Sequence, residues 1–354
     1  MLAAVLFLQC PRACGISAEK AIVLDALTGR VLYEKNADEQ SLIASTTKIM
    51  TALIVCERCN VLDRMRIPKE AVGIEGSSMY LREGEVLTIQ ELLYGLMLSS
   101  GNDAAVALAI YCGGTVEGFA ELMNDKAHWL GLRNTHFENP NGLDSPGHYS
   151  TARDLAVLAA YAMENPIFVK TVSAKTITLG QRYLRNHNKL LWQIPGAEGV
   201  KTGYTKAAGR ILVSSVTRDG RRLICVTLQD PNDWADHSTL LEAGFAGYSV
   251  GRILTAGDVV GSLEVESGDG DRVELLATKD FDYALSANEK TMLMIPGPGF
   301  VYSPVTEGGD GGYVYVLVDG NAVGKVPVIY GKTVEKEAED QENLWDKLFG
   351  RKEP

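Results

Sequence analysis

The sequence predicts an α+β domain, an antiparallel sheet with helices, followed by a small all-β domain. Two observations carry that prediction. Up to Tyr248, strand-forming runs stand near both ends with amphipathic helical patterns between them, an order unlike an alternating parallel sheet. From about Val250, long helical patterns vanish and short β-rich runs alternate with Gly and Asp turns. The 354 residues, 46% apolar and 22% charged, suffice for two cores.

The elements follow in order. Residues 1–15 hold an apolar run, Leu2 to Leu8, too short to span a bilayer and at the low end of an export-signal core; no Lys or Arg precedes Arg12. Phe7-Leu8-Gln9 lacks the small residues that lipidation of Cys10 requires. Ala21 to Leu24 and Val31 to Tyr33 read as a hairpin turned at Thr28-Gly29. Helical spacing runs from Thr47 to Val55 and ends near Asn60. Glu91 to Tyr111 is helix broken at Ser99-Ser100-Gly101-Asn102, a run that favours loop. Phe119 to Leu130 and Thr151 to Met163 are further helices, and Ile211 to Val216 with Leu223 to Leu228 form a second hairpin. A first domain over 16–248 is thus followed by a β-rich one over 249–332, with strands at Val259 to Val265, Arg272 to Ala277, Lys290 to Ile295, Tyr313 to Val318 and Lys325 to Ile329. In the charged tail, 333–354, Leu344, Trp345, Leu348 and Phe349 share one helical face near Lys347, Arg351 and Lys352. That face suits contact with a membrane surface, while the acidic run Glu335 to Glu342 suits a solvated helix.

A net charge of -11 leaves no basic surplus for phosphates, so no nucleic-acid partner is expected. The six cysteines (10, 14, 56, 59, 112, 225) are sparse for a disulfide framework. Cys56-x-x-Cys59 has no second such pair and no H-E-x-x-H among five histidines, so both read as ordinary helix residues; no metal and no cofactor is expected.

Three short motifs occur in order: Ser45-Thr46-Thr47-Lys48, Ser100-Gly101-Asn102 and Lys201-Thr202-Gly203. Singly they are weak, as the accidental Ser17-Ala18-Glu19-Lys20 and Ser286-Ala287-Asn288 show; the ordered triple carries the signal. Positions i and i+3 share a helix face, which sets the Lys48 amine beside the Ser45 hydroxyl. A serine attacks a carbonyl only if its proton is taken, and a lysine takes it only when burial or a nearby cation, here Lys201, destabilises the ammonium. Ser45 at a helix start also has unpaired N–H groups near a developing oxyanion. Ser100 suits proton relay to a leaving amine, and Asn102 a hydrogen bond to the substrate amide or to Lys48; loop capping is the plainer use of both. Lys201 and Thr202 suit a substrate carboxylate, and Gly203 permits close backbone approach.

The stretches Ala44-Ser45-Thr46-Thr47-Lys48-Ile49-Met50-Thr51-Ala52 and Leu98-Ser99-Ser100-Gly101-Asn102-Asp103-Ala104-Ala105 resemble the D-alanyl-D-alanine carboxypeptidases of the low-molecular-mass penicillin-binding-protein type. So do Asn139-Pro140-Asn141-Gly142-Leu143, Ser150-Thr151-Ala152-Arg153-Asp154-Leu155-Ala156 and Gly199-Val200-Lys201-Thr202-Gly203-Tyr204-Thr205. The resemblance implies a transpeptidase-like domain of the penicillin-binding-protein and β-lactamase fold, and a peptidoglycan stem peptide ending in D-Ala-D-Ala as substrate. It implies an acyl-enzyme on Ser45, an oxyanion hole from the backbone N–H groups of Ser45 and Tyr204, and acylation of the same serine by β-lactam antibiotics. With residues 1–15 read as an export signal, the protein is expected at the cell wall or the outer face of the cytoplasmic membrane. Some relatives use an Arg downstream of the third motif for the substrate carboxylate; here that region reads Asn232-Asp233-Trp234, so the role is unassigned.

Two alternatives stand beside this reading. A class A β-lactamase needs a Glu that activates the deacylating water, in an E-x-x-L-N loop not evident between Asn102 and Lys201. A wall-binding protein could keep the fold without the reaction.

Overall fold

The computed structural model describes residues 15–268 and 272–336 and separates into two compact units, Met1–Tyr248 and Ser249–Pro354. The signal-like run with Cys10 and Cys14, and the apolar face of the tail, lie outside the described residues.

In the first unit β1 (Lys20–Asp25) and β2 (Val31–Lys35) pair through a turn in which the Thr28 amide and hydroxyl both donate to Asp25 Oδ1 at 2.9 Å. A 3-10 turn, Ala44–Thr47, runs into α1 (Lys48–Arg58). A small hairpin, β3 (Arg64–Arg66) and β4 (Val86–Thr88), leads to α2 (Ile89–Leu98), which opens with a capping box between Thr88 and Glu91. The chain breaks at Ser99-Ser100-Gly101 and resumes as α3 (Asn102–Gly113), then α4 (Val116–Trp129), α5 (Ala152–Ala162) and α6 (Pro166–Val172). Next come a second small hairpin, β5 (Thr176–Leu179) and β6 (Arg182–Arg185), and the short α7 (Leu190–Gln193). The unit closes with β7 (Ala197–Thr205), β8 (Gly209–Arg218), β9 (Arg221–Leu228) and α8 (Asp233–Gly247).

The main sheet has the order β2-β1-β9-β8-β7, with every pair antiparallel. Every residue of β1 is buried because both its faces are covered. Ile22 and Leu24 join the large core built around α1, whereas Val23 faces Gly244 of α8. α1 is buried from Lys48 to Cys56, as expected of a helix enclosed by others. A lysine therefore begins the most enclosed helix of the unit.

The second unit holds β10 (Ser249–Leu254), β11 (Val259–Glu266), β12 (Arg272–Ala277), β13 (Phe281–Leu285), β14 (Thr291–Met294), β15 (Phe300–Tyr302), β16 (Asp310–Val318) and β17 (Asn321–Tyr330). Six of these strands form a sheet ordered β14-β16-β17-β12-β11-β15, and β10 pairs with β13. Its core centres on Leu275, Val314, Val316, Val326 and Val328.

Several elements differ from the sequence expectation. α8 escapes its periodicity because Asp233, Asp236 and His237 are buried and two glycines lie near its end. Lys201 lies inside β7, which starts earlier, at Ala197, with an irregular register at Gly199. Ser17 is tied into the first unit: its Oγ lies 2.8 Å from Asp230 Oδ1 and 2.9 Å from Asp236 Oδ2. Lys20 turns away to Gln229 Oε1 at 2.7 Å, so the accidental S-x-x-K is not a pair.

Candidate active site

The three motifs converge on one cleft although their elements are far apart in sequence. Ser45 lies on the 3-10 turn before α1, where three residues per turn set Lys48 directly over it. Lys48 is wholly buried, and its Nζ reaches Ser45 Oγ at 2.9 Å, Asn102 Oδ1 at 2.7 Å and Asn141 O at 2.6 Å. Asn102, the first residue of α3, is held in that orientation because its Nδ2 donates to Glu75 O at 2.5 Å.

These partners suit a neutral amine. Asn102 Oδ1 and Asn141 O can only accept, so they take two N–H bonds of the amine. A neutral amine then keeps a lone pair for the third neighbour, the Ser45 hydroxyl. Burial chiefly, and the like charge of Lys201 next, push the Lys48 ammonium well below its ordinary value, against the attraction of Asp103.

Lys201, also buried, sits in β7, and burial brings its ammonium down to about 7. Its Nζ donates to Thr202 O at 2.8 Å, and it acts on Lys48 through space. Two residues on, a Cβ added to Gly203 would lie 3.4 Å from Ser45 N and 3.2 Å from Ile43 O, so β7 runs close against the Ser45 turn. Ser100 is nearly buried with φ +58°, a left-handed conformation uncommon for a side-chain-bearing residue. Ser45, Ser100, Thr202, Gly203 and Tyr204 line a cleft of about 360 Å³.

Four further residues shape the site. The Asn139-Pro140-Asn141-Gly142 loop supplies the Asn141 carbonyl; Asn139 Oδ1 accepts from the Gly142 amide at 2.7 Å, and Pro140 O accepts from Thr51 at 2.6 Å. Its Asn, Pro and Gly signal a turn, but nothing in that composition says it faces Lys48. His148 accepts from the Glu138 amide at Nδ1, 3.1 Å, so its Nε2–H donates to Thr47 Oγ1 at 2.7 Å; burial keeps the ring neutral, down to about 4. His187 lines the cleft, its proton affinity lowered by burial and by Lys201.

Arg210 is the fourth. It stands opposite Tyr204 in the β7–β8 register and enters the cleft, with Nη2 at 2.8 Å from both oxygens of the buried Asp233. The Asn232-Asp233-Trp234 segment, which has no arginine of its own, therefore anchors one from the neighbouring strand. Hairpin register is the signal that could have found it.

The D-alanyl-D-alanine carboxypeptidase family matches residues 8–232, and the C-terminal domain of penicillin-binding protein 5 matches residues 248–336. The chain is 32% identical over 337 residues to D-alanyl-D-alanine carboxypeptidase DacF of Bacillus subtilis, covering 90% of this chain and 86% of that relative. Penicillin-binding protein 5 from Haemophilus influenzae superposes with a TM-score of 0.81 at 30% identity, over 92% of this chain and 100% of that one. A Streptomyces K15 DD-transpeptidase variant gives a TM-score of 0.64 at 36% identity, over 66% of this chain and 99% of the other. With likeness running through both units, the chain belongs to the D-alanyl-D-alanine carboxypeptidase family, serine peptidases of the low-molecular-mass penicillin-binding-protein type.

Proposed function

We propose that the protein removes the terminal D-alanine from peptidoglycan stem peptides through an acyl-enzyme on Ser45, and that β-lactams acylate the same residue. The observation that carries this reading is the buried Lys48 amine, bonded to two acceptors and to the Ser45 hydroxyl. Lys48 takes the Ser45 proton as Oγ attacks the carbonyl between the two D-alanines. The backbone N–H groups of Ser45 and Tyr204 receive the oxyanion. Ser100 passes a proton to the departing D-alanine amine, and water then hydrolyses the ester. Lys201, Thr202 and Arg210 hold the terminal carboxylate, Arg210 through Nη1 and Nε, which are not spent on Asp233. Gly203 lets the peptide lie close against β7.

Residues 16–248 carry this chemistry, and 249–332 form an accessory β domain. The substrate lies outside the cytoplasmic membrane, so the protein acts there; residues 1–15 serve export and the tail, 333–354, rests on the membrane surface. A fluorescent penicillin tests the core of the proposal. Wild type is expected to label stoichiometrically and to release D-alanine from a peptide ending in D-Ala-D-Ala, whereas Ser45→Ala does neither. Labelling that persists in Ser45→Ala would overturn the assignment.

A further inference from the structure

Three of the four cysteines among the described residues gather where α1 ends. Cys56 is buried within α1, Cys59 caps its C-terminus, and Cys112 lies one residue before the end of α3. The Cys59 and Cys112 side chains are near enough to act on each other, both half-buried against the main core. Beside them the Tyr111 hydroxyl donates to Asp63 Oδ2 at 3.0 Å, a second tie between the same two segments. The two cysteines are thus neighbours, where the end of α3 is tied by side chains to the segment that follows α1.

We propose that Cys59 and Cys112 form a disulfide that fastens α1 to α3 once the protein has left the reducing cytoplasm. The partner of Cys59 is then not Cys56, three residues away, but a residue of a different helix.

The surroundings set the order of events. The adjoining Cys59 thiol chiefly, and the Arg58 guanidinium, hold Cys112 below the usual thiol range against the effect of burial. Cys112 therefore ionises first and attacks a donor disulfide, either low-molecular-mass or carried by a thiol oxidoreductase. One donor sulfur leaves as thiolate and takes the Cys59 proton. Cys59 then attacks the Cys112 sulfur and expels the second donor sulfur. Two cysteine thiols are oxidised to one cystine, and one donor disulfide is reduced to two thiols. Cys56 does not compete, because burial pushes its thiol up to about 12.

The position gives the crosslink its purpose. α1 begins at Lys48 and α3 at Asn102, the two residues joined at 2.7 Å in the cleft. A bond between the far ends of the same helices keeps them from splaying and so preserves that contact.

Peptide mapping decides the matter. Thiols are alkylated in intact cells that carry the full chain outside the membrane, and the purified protein is digested with trypsin without reduction. Arg58 separates Cys56 from Cys59, so peptide 59–64 joined to peptide 83–126, lighter than their sum by two hydrogens and split by reductant, is the expected species. Reduction of the folded wild type is expected to lower Tm by roughly 5–10 °C. Recovery of both peptides fully alkylated, or of Cys112 linked to 49–58 instead, overturns the proposal.

Discussion

A lysine with a folded-state value near 7 ties stability to pH. Lys201 goes from an ordinary 10.5 down to about 7 through burial. Between those values the unfolded chain holds a proton that the folded chain has released, so stability rises with pH across that window and the burial cost is fully present below it. The slope from one such group is about 1.4 kcal/mol per pH unit. Denaturant melts of wild type and Lys201→Met between pH 6 and 10 are expected to differ by that slope, the variant being flatter; parallel curves would show Lys201 titrating normally. The same variant reports on Lys48. The Lys201 cation helps to strip the Lys48 proton, so its loss is expected to move the acid limb of penicillin acylation to higher pH, measured by stopped-flow. Arg210 is a binding residue in this account. A hydrogen bond to a charged group contributes about 1.5–3 kcal/mol, so Arg210→Ala is expected to lower kcat/KM for a D-Ala-D-Ala peptide roughly ten- to hundredfold. Asp233→Asn, which loosens the guanidinium without removing it, is expected to act chiefly on KM.

The nucleophile turn is an element held from outside. A Cβ on Gly142 would meet Ala44 O at 1.9 Å, at a residue whose φ of +85° already favours glycine. Gly142→Ala is therefore expected to push the loop off the Ser45 turn, withdraw the Asn141 carbonyl from Lys48 and lower both Tm and the acylation rate. An unchanged rate, followed by the same fluorescent penicillin, would show that the loop does not position Lys48. Such tertiary devices are what the sequence leaves unread. The S-x-x-K pair was legible because one helical turn suffices to join Ser45 and Lys48, and the break between α2 and α3 because Ser-Ser-Gly-Asn opposes a continuous helix. The hairpin of β8 and β9 was legible from its two apolar runs, Ile211 to Val216 and Leu223 to Leu228. Asn141 and His148 were not, since each reaches the site across a fold that no local period reveals, and Arg210 needed the β7–β8 register to be known. α8 hid for a related reason: Asp236 and His237 lie on its buried side, bonded to Ser17 and to Ser214 and Thr227, where an apolar stripe would be sought.

At the scale of the molecule, every motif side chain and every cleft residue belongs to the first unit. That unit has its own closing anchor: Tyr248 O accepts from Arg221 Nη1 at 2.5 Å, the Tyr248 ring lies 4.8 Å from the Arg30 guanidinium, and Arg221 pairs with the buried Asp25 at 2.7 Å. A chain ending after Tyr248 keeps all three contacts. The Streptomyces K15 DD-transpeptidase is matched over 99% of its length by 66% of this chain, a share that the first unit by itself can supply. Removal of 249–354 is therefore expected to leave cooperative unfolding and the penicillin acylation rate unchanged in solution. What the shortened chain should lose is performance on intact peptidoglycan, where an accessory domain affects reach rather than bond making. D-alanine release from sacculi and from a soluble peptide, compared in the two chains, separates these outcomes. A shortened chain that folds but no longer acylates would mean that the β unit takes part in building the catalytic geometry.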